Sequence, residues 1–112
     1  MKKGLKFSLL AGFMALSAHS LAGGWTEPLT VESIITEGAT DLIIIYTSGG
    51  SQNVNGCLVN SWIFIADNET RRGRAYSTAM AALASGKKIS LWYSDTCAAL
   101  SYHGATSIKL IK

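Results

Sequence analysis

Outside its first 22 residues the chain has one histidine, His103, next to Tyr102. A Ser-His-Asp hydrolase needs that imidazole beside a serine and one of Asp41, Asp67 or Asp95. No serine sits in a nucleophile elbow. Asp67 and Glu69 are two carboxylates without the further oxygen ligands of a cation loop, so they read as helix-capping residues. No carboxylate pair marks glycoside hydrolysis, and no His or second Cys stands at metal-ligand spacing from Cys57 or Cys97. Gly49-Gly50 is not followed by the Gly-Lys-Ser/Thr of a phosphate loop. The expected catalytic set is therefore empty, with no cofactor and no metal, and His103 reads as a polar loop residue. What remains is recognition by aromatic faces, which stack on sugars or on bases. Trp25, Trp92, Tyr93 and Tyr102 are the aromatic candidates, with Asp95 and His103 as hydrogen-bonding partners. Trp62 belongs to the same inventory, and two of the three tryptophans are expected to be at least half buried.

The charge balance separates sugars from bases. The 112-residue chain carries ten Lys and Arg against seven Asp and Glu, a formal net charge of +3. Lys2, Lys3 and Lys6 precede an apolar run from Phe7 to Ala18, and Ser20-Leu21-Ala22 supplies small residues at the −3 and −1 positions of a cleavage site. This is the order of a secretory signal peptide, shorter than the roughly 20 apolar residues of a membrane span. Cleavage is expected after Ala22, giving a secreted or periplasmic domain over residues 23–112. A retained N-terminal anchor is the alternative, and no later segment is long enough to span a membrane. Removing the three leader lysines leaves seven bases against seven acids. A neutral domain lacks the positive groove that nucleic acids require, so glycans fit the aromatic set better. Arg71, Arg72 and Arg74 read as a solvated basic face. In an exported chain of this size Cys57 and Cys97 pair by default, and a buried pair of free thiols is the alternative.

Five strands and one helix must position these residues. Thr30–Glu37 is rich in β-branched residues and reads as the first strand; Gly38–Asp41 follows as a turn. Leu42–Thr47 is a nearly continuous apolar strand, buried on both faces for part of its length. Ser48–Gly56 is a polar, glycine-rich loop, expected to be exposed and mobile. Cys57–Ala66 is the third strand, with Leu58, Asn60, Trp62 and Phe64 on one face. A helix covers Arg71–Ser85, capped by the Asp67–Thr70 segment and ended by Gly86. Its Tyr76, Met80 and Leu83 form an apolar stripe at i, i+4 and i+7 and read as core, widened by Ala75, Ala79 and Ala82. Lys88–Tyr93 is the fourth strand, Ser94–Gly104 a loop, and Ala105–Ile111 the fifth strand. Strand, strand, strand, helix, strand, strand is the order of a five-stranded OB-fold barrel. An open α+β sheet with the helix on one face is the alternative.

The run Tyr76-Ser77-Thr78 through Ala82-Leu83-Ala84-Ser85-Gly86-Lys87-Lys88-Ile89-Ser90-Leu91-Trp92-Tyr93 resembles the B subunit of subtilase cytotoxin. Trp25-Thr26 and the β-branched first strand fit the same family. The resemblance covers most of residues 23–112 in pattern and about 20 residues in detail. It implies an OB-fold, a ring of five subunits with the helix facing the central pore, glycan binding, and a partner catalytic A subunit. One departure stands out. The serine with which the family contacts its sugar falls near Pro28, which offers neither a hydroxyl nor an N–H. A monomeric secreted or periplasmic protein-interaction module without a sugar site is the competing expectation.

Overall fold

Ile43, Ile44 and Ile45 are consecutive and all buried, as expected of a strand covered on both faces. A computed structural model describes residues 23–36, 41–51 and 53–112. The leader expected over residues 1–22, and the turn expected at Gly38–Thr40, lie outside the described residues. The elements are β1 (Gly24–Trp25), β2 (Thr30–Thr36), β3 (Ile43–Ser48), β4 (Leu58–Phe64), α1 (Glu69–Ser85), β5 (Lys88–Cys97), a 3₁₀ turn (Ala99–Ser101) and β6 (Tyr102–Ile111). The protein is mostly β with one helix.

All six strands join one mixed sheet in the order β1-β5-β6-β4-β3-β2. Neighbours are antiparallel except β4 and β6, which run parallel. This differs in detail from the expected five-stranded OB-fold barrel, because there is a sixth strand and, among the described residues, no continuous ladder closes the sheet. The cause lies at Glu27-Pro28. Gly24 and Trp25 pair with Tyr93 and Trp92, and Thr26 N–H donates to the Leu91 carbonyl (2.9 Å). The bend at Glu27 and the proline, which has no N–H to donate, then interrupt the ladder. Leu29 regains a single antiparallel bridge to Ile89 before the chain enters β2. The two edge strands of the sheet are thus consecutive in sequence, and residues 26–29 join them.

The helix forms where expected, and its ends are locally determined. Asn68 is the N-cap, its side-chain oxygen accepting from Arg71 N–H at 2.8 Å. Gly86 takes the left-handed conformation (φ 77°) and donates its N–H to the Ala82 carbonyl. The buried face differs from expectation. Ala75, Ala79 and Ala82 are buried, whereas Tyr76, Met80 and Leu83 are exposed. Both triplets have the spacing i, i+4, i+7, and they sit on adjacent faces about 100° apart. The small side chains let the helix approach β2 and β6 closely, so the methyl stripe faces the core and the larger residues face out.

The core gathers Leu29, Val31, Ile43, Ile45, Trp62, Phe64, Ile89, Leu91 and Ala105 against the three helix alanines. In β4 Trp62, Ile63 and Phe64 are all buried, so this strand too is covered on both faces, with Trp62 and Phe64 in the core cluster and Ile63 opposite Ile44. Asn60 takes a left-handed φ of 63° and the β4–β6 register shifts between Leu58 and Trp62, which resets the pleat. Asn60 is also useful there. Trp62 Nε1–H donates to Thr47 Oγ1 (3.1 Å), and the Thr47 hydroxyl donates to Asn60 Oδ1 (3.1 Å). This relay satisfies the buried indole.

The loop expected at Ser94–Gly104 is much shorter than that. β5 continues to Cys97, which pairs with His103, and Ala98 N–H donates to the Tyr102 carbonyl. The Cys57–Cys97 disulfide forms (Cα–Cα 5.5 Å), tying the start of β4 to the end of β5. No helix among the described residues is long and apolar enough to cross a membrane.

Candidate functional site

Alternation along β5 buries Ile89 and Leu91 and turns Trp92 to the opposite face of the sheet. Trp25 is the cross-strand partner of Trp92, and the two rings meet edge to face with centroids 5.5 Å apart. Lys109, on β6, holds its Nζ 4.4 Å from the centre of the Trp25 ring, a cation–π contact. Ser107 is the β6 partner of Trp92 and is exposed. Trp25 is 42% exposed and Trp92 is partly buried. The result is an aromatic platform with an ammonium and a hydroxyl beside it.

Polar contacts beneath the platform fix its position. The Ser90 hydroxyl donates to the Thr26 carbonyl (2.6 Å), and Thr26 Oγ1 accepts from Leu91 N–H (3.1 Å). Both Thr26 and Ser90 are buried. A side chain at Gly23 would collide with the Tyr93 carbonyl oxygen, so glycine there permits β1 to lie against β5. Trp25 is therefore held by backbone pairing and a buried hydroxyl pair, with its ring left open to solvent.

The other residues expected at the site are not brought to this platform. Tyr93 is partly buried, its ring beside Gly24. Asp95 is exposed further along β5. Tyr102 joins Tyr46 instead, with hydroxyls 2.8 Å apart and rings edge to face at 6.0 Å. That hydrogen bond is the main cause raising the Tyr46 pKa above its ordinary value. His103 is fully buried, in place of the exposed loop position expected for it. Its ring stacks on Trp62 at 4.6 Å; Nδ1 meets the Leu58 carbonyl (2.9 Å), and Nε2 accepts from Asn53 and Val54 N–H (3.3 Å each). Burial lowers its pKa. Both ring nitrogens are thus engaged by backbone, and among the described residues neither meets a serine hydroxyl or an aspartate carboxylate.

This arrangement also corrects the reading of Ser48–Gly56 as a wholly exposed segment. Asn53 and Val54 are half-buried and tied to His103, and Cys57 is buried.

Two concave surfaces adjoin α1, and the larger shares Ser107 with the platform. A cavity of about 250 Å³ opens between α1 and β6, lined by Arg71, Arg74, Thr78, Thr106 and Ser107 over Phe64. Arg71 donates to the Thr106 carbonyl (3.0 Å) and approaches Asp67 at 3.7 Å, while Arg72 donates to the Ala66 carbonyl. A smaller cavity of about 190 Å³ is bounded by Asp41, Leu42, Ile65 and Arg72. Among the described residues, no group of three His, Cys, Asp or Glu side chains converges to hold a metal ion. No protein-family model matches this chain, and no curated protein matches it.

The sequence reading missed Lys109, Ser107 and the Thr26–Ser90 pair. Alternation on β6 marks Lys109 and Ser107 as outward-facing, but only the register of β6 against β5 sets them beside the tryptophans.

Proposed function

We propose that this chain is an exported, non-catalytic binding protein related to toxin B subunits, which takes a carbohydrate on the Trp25–Trp92 platform. The exposed Trp25 ring, edge-on to Trp92 and flanked by Lys109 and Ser107, carries this reading. Sugar rings present apolar C–H faces that stack on indole and hydroxyls that need donors and acceptors at the rim. A fixed platform loses little conformational entropy on binding. Lys109 and Ser107 supply the rim. The strand order and the Leu29–Ile89 bridge support an OB-type barrel interrupted at Pro28. Assembly as a pentamer, with a catalytic A subunit as partner, is the arrangement the family resemblance implies. The exposed Tyr76, Met80 and Leu83 on α1 support a protein contact on that face. The same residues favour the second reading, a monomeric protein-interaction module without a sugar site.

A broad glycan array probed with the oxidised protein and with Trp25→Ala tests the proposal. Retention of at least one glycan by the parent, with binding at least about tenfold weaker in the variant, is the expected result. An array with no bound glycan, or binding indifferent to Trp25, overturns it. Light scattering decides between the assemblies: a mass of five subunits supports the ring, and a monomer at micromolar concentration supports the interaction module.

A further inference from the structure

We propose that His103 is a pH-responsive latch that holds the turn at residues 53–56 against the sheet and releases it on acidification. The two ring nitrogens face partners of opposite kind. Nδ1 lies 2.9 Å from the Leu58 carbonyl oxygen, which can only accept, so Nδ1 carries the proton. Nε2 lies 3.3 Å from the backbone N–H groups of both Asn53 and Val54, which can only donate, so Nε2 offers its lone pair. Only the neutral Nδ1–H form fits this set. A proton on Nε2 points a donor at two donors and places a charge in a fully buried site.

Among the described residues, no carboxylate faces that charge. β4 presents the Leu58 carbonyl, the Ser61 backbone and the Trp62 ring. The turn presents two N–H groups. β5 presents Cys97, which is locked in the disulfide and does not titrate. On β6 itself the neighbour Tyr102 is bonded to the Tyr46 hydroxyl, and Asp95, two residues before Cys97, is exposed to solvent. The charge-dependent influences on the ring are burial, which disfavours the cation, and the backbone of Leu58 and Ser61, which favours it. The face of Trp62 also favours a cation, but it does not restore the two lost hydrogen bonds.

Release is local because the turn is bounded by a fixed point. Cys57 is buried and bonded to Cys97, so the start of β4 stays in place when residues 53–56 move. Gly56, at φ 94°, sits next to that fixed point and supplies the hinge.

Amide hydrogen exchange and imidazole ¹⁵N shifts, recorded on the oxidised protein from pH 7.5 to 4.5, test the latch. The expected pattern has an Nδ1–H tautomer at pH 7.5. Below the ordinary imidazole value near 6.5, protection factors at Asn53 and Val54 should fall by about tenfold per pH unit. The amide of Ile89, bonded to Leu29, should keep its protection over the same range. Three outcomes overturn the proposal: an Nε2–H tautomer at neutral pH, unchanged protection at Asn53 and Val54, or loss of protection at Ile89 in step with them. The last would mean global unfolding in place of a latch.

Discussion

His103 shows how a single residue can be rich in chemistry and still be assigned the wrong place from sequence. A histidine beside a tyrosine in a polar stretch reads as an exposed loop residue. Its burial depends on Trp62, 41 positions earlier, and on the N–H groups of Asn53 and Val54. No local pattern encodes those contacts. Their consequence is measurable in stability. The folded imidazole has a lowered pKa, while the unfolded chain has the ordinary value of about 6.5. Above that value the ring is neutral in both states and its contribution is constant. As pH falls through it, the unfolded chain binds a proton that the folded chain refuses. Stability then falls by up to about 1.4 kcal/mol per pH unit until the folded ring also protonates. Urea unfolding at pH 7.5 and 5.5 should show this loss, and equal midpoints at the two values would contradict it. Trp25 presents the opposite case. It stood among the aromatic candidates in the sequence, but its pairing with Trp92 emerges only from the β1–β5 register.

At the scale of elements, the helix was the most legible part of the chain because its determinants are local. Asn68, Gly86 and the absence of proline between them fix both ends within two residues of the expected bounds. The face it buries was not legible. Apolarity favours Tyr76, Met80 and Leu83, while the short distance to the sheet demands Ala75, Ala79 and Ala82, and packing distance is a tertiary quantity. Two substitutions separate the faces. Ala79→Leu, at a fully buried position, should cost about 1–3 kcal/mol through overpacking. Leu83→Ser, at an exposed position, should cost under about 1 kcal/mol. Thermal unfolding ranks the two, and a reversed order would mean that the larger stripe is covered in solution. β5 and β6 were underestimated for a related reason. Ser94, Asp95 and Thr96 look like loop residues, but the Cys97–His103 pairing and the disulfide carry both strands past them.

For the molecule as a whole, a mostly β chain with one helix was recovered, whereas strand order differs in detail, because four strands precede the helix where three were expected. The succession of three strands, helix and two strands follows from periodicity and glycine punctuation. The sixth strand and the broken ladder follow from one proline, whose missing N–H falls where the two edges of the sheet meet. A chain of this size buries a modest core, so the cross-link between β4 and β5 matters to the whole. Its ends are 40 residues apart, and closing a loop of that size removes unfolded-state entropy worth about 4 kcal/mol in the chain-entropy model. The double variant Cys57→Ser/Cys97→Ser should lose stability of that order in urea unfolding at pH 7.5. A loss below about 1 kcal/mol would mean that the sheet is held by packing alone.

We propose that a sugar is received by the tryptophan pair in which Trp25 is exposed and Trp92 partly buried. The three indole N–H groups report on it separately. That of Trp62 is buried and donates to Thr47, whereas Trp25 is open and Trp92 partly so. The most direct measurement is an NMR titration of the ¹⁵N-indole-labelled protein with neutral, acidic and amino sugars and short oligosaccharides. The account predicts saturable shifts of the Trp25 and Trp92 indole signals with at least one sugar, and a stationary Trp62 signal. Stationary Trp25 and Trp92 signals across the whole panel would contradict it.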